Sequence, residues 1–138
     1  MNAYGAPPLG SEPPVAKPPF LLAAIGAALA GVYWAALTFL IGVGVAYGGT
    51  PSTQVLIPCL LIGLYAFRAW QLYKGEPAAL RRIMFLQGVG AAMAIVGMLR
   101  GTSSMATLLQ GIKLAIHVFG FVAGYLAKRR YEASLVRA

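Results

Sequence analysis

The sequence predicts an all-α fold, an integral membrane four-helix bundle with antiparallel up-down helices and both termini on the cytoplasmic side. Three observations predict it. The 138-residue chain is 59% hydrophobic and only 10% charged, against about 25% charged in ordinary soluble domains. Its apolar residues gather into four long runs, and crossing a hydrocarbon core of about 30 Å takes about 20 helical residues. Its basic residues, eleven Lys and Arg against three acids, collect at the ends of those runs rather than over a polar face. The last pattern argues against a nucleic-acid partner and for a bilayer with anionic lipids at its cytoplasmic face.

Residues 1–19 are expected to be a disordered cytoplasmic tail. They hold six prolines, one Lys and one Glu. Proline lacks a backbone donor and favours extended chain, and the segment lacks the basic start of a signal peptide.

The membrane domain is expected at residues 20–130. No charge falls between Lys17 and Arg68, a stretch too long for one span, and Gly48-Gly49-Thr50-Pro51 divides it as a turn. The first span is therefore read as 20–47 and the second as 54–73, with Ser52 or Thr53 as N-cap and Pro58 in the first turns, where a missing N–H costs little. Lys74-Gly75-Glu76-Pro77 closes one helix and opens the next, because Gly suits a helix end and Pro a helix start. The third span is read as 77–99. Arg100 to Ser104 makes a short turn, and the fourth span runs 105–127, stopping at Lys128-Arg129-Arg130. Residues 131–138 form a short tail. Short connections make successive helices antiparallel neighbours.

Charge supplies the orientation. In a four-span topology Lys17, Lys74, Arg81, Arg82, Lys128, Arg129, Arg130 and Arg137 fall on one side and Arg100 on the other. Basic loops stay cytoplasmic, which places both termini and the middle loop inside and the protein in the inner or plasma membrane. Arg68, Trp70, Tyr73, Arg81, Arg82, Lys128, Arg129 and Arg130 are then membrane-interface anchors, with Tyr65 beside them. A cytoplasmic anion vestibule built by Arg68, Arg81 and Arg82 is the alternative reading of the arginines.

The fourth run carries the most informative pattern. Gln110, Lys113, His117, Gly120 and Gly124 recur at steps of three and four, which sets them on one helix face. A Lys or His facing lipid is costly, and small residues mark close helix contacts, so this face is expected to meet protein. On the third run Gln87, Gly90, Ala94, Gly97 and Gly101 follow the same steps. The two stripes are expected to pack together, with Gly124 at the depth of Gln87 and Lys113 opposite Gly97. Ala27, Gly31, Trp34 and Thr38 form a similar packing stripe on the first run. At about 1.5 Å per residue, Lys113 sits about 12 Å and His117 about 18 Å from the outer end of their span.

Gln110, Lys113 and His117 are thus the candidates for a ligand site or an ion path. No acid lies within any span and Cys59 is the only cysteine, so neither an embedded carboxylate nor a dithiol pair is available. His117 is the only histidine, so haem held by two histidines of one chain is excluded, and no metal-ligand spacing or nucleophile–base pair is present. No cofactor is expected, and no enzymatic activity. The favoured expectation is a non-enzymatic accessory or assembly subunit, or a self-associating scaffold, partnered by other membrane subunits or by itself. One alternative is a small oligomeric channel or transporter using Lys113 and His117 on an anion or proton path. Another is a quinone- or redox-linked membrane subunit.

Overall fold

In the computed structural model, residues 20–49, 52–101 and 103–136 are described. The proline-rich segment 1–19, Thr50-Pro51, Thr102 and the last two residues, with Arg137, lie outside the described residues. Among those described, the chain forms four α-helices and one short 3₁₀ turn and no strand: α1 Leu21–Ala46, the turn Ser52–Val55, α2 Leu56–Tyr73, α3 Pro77–Arg100 and α4 Ser104–Val136. All four helices are long and apolar enough to cross a membrane.

The ends follow from local chemistry. α1 stops at Ala46, and Gly48 adopts φ 73° immediately afterwards, a conformation that suits a residue without Cβ. The same holds at Gly75, with φ 83° between α2 and α3. Pro77 opens α3. Before α2, Ser52 and Thr53 do not occupy the N-cap position expected of them. They belong to a 3₁₀ turn, and the capping position falls to Val55, which offers no side-chain bond. The tighter turn carries the chain into α2 without a side-chain cap, as 3₁₀ turns commonly do at helix ends. At α4, the Ser103 hydroxyl accepts from the Ala106 N–H at 3.2 Å, satisfying one of the donors a helix start leaves open.

α4 differs most from the sequence expectation. It does not end at Lys128-Arg129-Arg130 but continues to Val136, 33 residues in all, or about 50 Å. Lys and Arg are good helix formers. They can end the apolar segment without ending the helix, and Lys128 pairs with Glu132 one turn on at 3.6 Å.

The helices pack as two sequence-adjacent pairs. α3 lies most extensively against α4 and α1 against α2, α1 and α4 join the pairs, and α2 touches α3 at few points. The inner face of α1 includes Ala23, Ala27, Ala30 and Trp34, all buried, and Phe20, Tyr65, Leu72, Leu80 and Ile83 are the large side chains that join them in the apolar core. Small residues on α1 bring it close to α4: a Cβ added at Gly26 would stand 2.7 Å from the Gly120 Cα. The outer faces carry Phe39, Leu60, Phe85, Leu99 and Val136, each well exposed. This inversion of the water-soluble pattern is what a lipid solvent permits.

Candidate functional site

The polar stripe of α4 points into the bundle. His117 and Gln87 are fully buried and Lys113 is 6% exposed. Gln87, on α3, connects three helices. Its amide Nε2 donates to the Gly26 carbonyl of α1 at 3.2 Å, and its Oε1 lies 2.5 Å from His117 Nδ1. With the amide nitrogen committed to a carbonyl, Oε1 is the acceptor, so Nδ1 is the ring nitrogen that carries the proton. Nε2 of His117 has no partner among the described residues.

Glycines make the room for this node. The His117 ring lies over Gly90, where an added Cβ would fall 2.6 Å from Nε2. The Gln87 side chain lies over Gly120, and Gln110 over Gly97. Tyr65 of α2 closes the fourth side, its ring centroid 5.9 Å from that of His117 and its hydroxyl donating to the Leu86 carbonyl at 3.4 Å. All four helices therefore contribute to the surroundings of one imidazole.

Lys113 lies one turn away and has a different environment. Its Nζ sits 4.9 Å from the centroid of the Trp34 ring, a cation–π contact. Trp34 Nε1 and Gln110 Oε1 are buried without hydrogen-bond partners among the described residues.

The stripes of α3 and α4 do meet, one turn away from the expected register. Gly124 faces Met84 rather than Gln87, and Gly97 faces Gln110 rather than Lys113. The bulky polar groups set the offset: the Gln87 side chain and the His117 ring each need a glycine opposite, and Gly120 and Gly90 supply them. Ala94 is fully buried. Gly101 is exposed at the C-cap of α3, and an added Cβ there would stand 3.1 Å from Thr107 Oγ1 of α4.

The expected anchors divide into two groups. Trp70 and Tyr73 are exposed and stacked with centroids 6.3 Å apart, and Lys74 Nζ sits 4.7 Å from the Trp70 ring. Arg81, Arg82, Arg129 and Arg130 are exposed. Tyr65 is not an interfacial anchor: it is 2% exposed, because its ring fills the space beside His117. Arg68 is half-buried and donates to Gln71 Oε1, and Gln71 Nε2 donates to Glu76 Oε2 at 2.8 Å. On α1, Trp34 is buried while Gly31 and Thr38 are half-buried, and the Thr38 hydroxyl donates to the Trp34 carbonyl at 2.7 Å.

Sequence reasoning did not identify Gly26 or Tyr65 as parts of the site, nor Trp34 as the neighbour of Lys113. A signal for Gly26 exists, since Gly26 and Ala30 form a small-xxx-small pair. It competes with several equivalent pairs on an alanine-rich helix.

No protein-family model matches the chain, no curated protein sequence is similar to it, and no solved structure matches it.

Proposed function

We propose that this chain is a multi-pass protein of the inner or plasma membrane that acts as a non-enzymatic assembly subunit or self-associating scaffold. Its helices run up and down antiparallel, with both termini and the 74–76 loop on the cytoplasmic side. One observation carries the reading: the polar groups at the centre of the bundle hold helices together. Gln87 binds the Gly26 carbonyl and His117 at once, so its polar capacity is engaged in packing rather than presented to a substrate. The broad apolar outer faces suit lipid or neighbouring subunits. The orientation rests on the positive-inside rule applied to the basic residues at one end of the bundle.

A mild-detergent pull-down of the full chain with mass spectrometry tests the role. The expected result is a stoichiometric membrane partner or a homo-oligomer. Recovery of the monomer alone would overturn it.

A second reading, a small oligomeric channel or transporter, draws support from Lys113. It is a buried amine with a ring beside it and no acid within the spans, on the same side of the bundle as Gln110 Oε1 and Trp34 Nε1, which have no hydrogen-bond partner among the described residues. Intramembrane ionisable residues tend to mark ion or substrate paths. Proteoliposomes that carry no flux of common anions or of protons would dispose of this reading.

A further inference from the structure

α2 and α3 touch at few points, and between them lies a cleft of about 540 Å³ lined by Leu64, Arg68, Arg81, Arg82, Phe85 and Leu86. Its two halves differ in chemistry. Three arginines from two helices supply one, and three large apolar side chains supply the other. Arg68 lies about 8 Å before the end of α2 and Arg81 about 6 Å after the start of α3, at 1.5 Å per residue, so the charges share one level.

The nearby acid does not neutralise them directly. Glu76 accepts from Gln71, which in turn accepts from Arg68, and among the described residues Arg81 and Arg82 enter no salt bridge. Arg68 Nε is buried and has no hydrogen-bond partner among the described residues. Arginine forks match phosphate geometry.

We infer that this cleft binds an anionic phospholipid, with its phosphate at Arg68, Arg81 and Arg82 and an acyl chain along Leu64, Phe85 and Leu86. A soluble anion would use the cationic half and leave the apolar half unoccupied, whereas a phospholipid matches both. The inference rests on the chain being embedded in a bilayer. It does not depend on the assembly role.

Native mass spectrometry of the full chain in mild detergent provides the test, with phosphatidylglycerol and phosphatidylcholine of identical acyl chains offered at equal concentration. The wild type is expected to retain phosphatidylglycerol preferentially. Arg81→Gln/Arg82→Gln, which leaves the Arg68–Gln71–Glu76 chain in place, is expected to lower that preference by on the order of fivefold per arginine. Arg129→Gln/Arg130→Gln removes the same charge elsewhere and is expected to leave it unchanged.

Equal retention of the two lipids, an unaffected cleft variant or an equal loss in the α4 control would overturn the site. So would displacement of the lipid by millimolar inorganic phosphate, which would make it a free-anion site. A photo-crosslinking phosphatidylglycerol on wild-type protein gives a reading independent of variant folding: labels on α2 and α3 peptides around Leu64 and Phe85 are expected, and their absence overturns the assignment. Failure to enter vesicles of either lipid would instead refute the membrane reading itself.

Discussion

At the scale of single residues, a close crossing of α1 and α4 separates two kinds of glycine. At Gly26 an added methyl meets the backbone of Gly120 at 2.7 Å, whereas at Gly111 it meets nothing within 4 Å. Backbone cannot rotate aside as a long side chain can. Gly26→Ala is therefore expected to destabilise by about 1–3 kcal/mol through overpacking, and Gly111→Ala to be neutral or stabilising by up to about 1 kcal/mol through helix propensity. Reversible unfolding in mixed micelles would measure both, and equal effects would refute the close crossing. The Gln87–His117 contact is best read by a double-mutant cycle. Replacing each by Ala singly and together should give a coupling of about 0.6–1.7 kcal/mol, the range of intramembrane hydrogen bonds. A coupling near zero would mean that the two side chains do not act as a pair.

At the scale of elements, hydropathy and turn residues made the four helices legible. Gly75 and Pro77 place the α2–α3 boundary within a residue, because a left-handed glycine and an N1 proline have few alternative uses. The end of α4 was less legible. Basic residues mark where apolar chain stops, and hydropathy carries no sign of where the helix itself ends. Part of that extension packs: the Tyr131 ring lies edge-on to Phe20, with centroids 5.8 Å apart. Tyr131→Ala is expected to remove about 0.5–1.5 kcal/mol of aromatic contact. Amide hydrogen exchange should then quicken over 128–136 while protection around His117 is kept, and uniform quickening along α4 would count against a local role. In the candidate site, steps of three and four revealed which residues share a face. They do not reveal the offset between two faces, which is why the α3–α4 register differed by a turn. They also give no sign of Tyr65, whose contact with His117 exists only once α2 is docked.

At the scale of the whole molecule, orientation is open to direct measurement. In a Cys59→Ser background, a membrane-impermeant maleimide added outside intact cells should label Gly49→Cys after α1 and spare Glu76→Cys between α2 and α3. The reverse pattern, or labelling of both, would overturn the both-termini-inside topology.

The arrangement of contacts also bears on how such a chain is put together. Each half, α1 with α2 and α3 with α4, is close in sequence and closes its largest interface without the other. The Gln87 donor finds its acceptor on α1 only when the halves dock. Insertion would thus yield two preformed modules, with the meeting of Gly26 and Gly120 as the late event. A chain divided in the 74–76 loop and co-expressed as two pieces should reassemble from its parts, and Gln87→Leu should impair recovery of the paired fragments far more than it alters the intact protein.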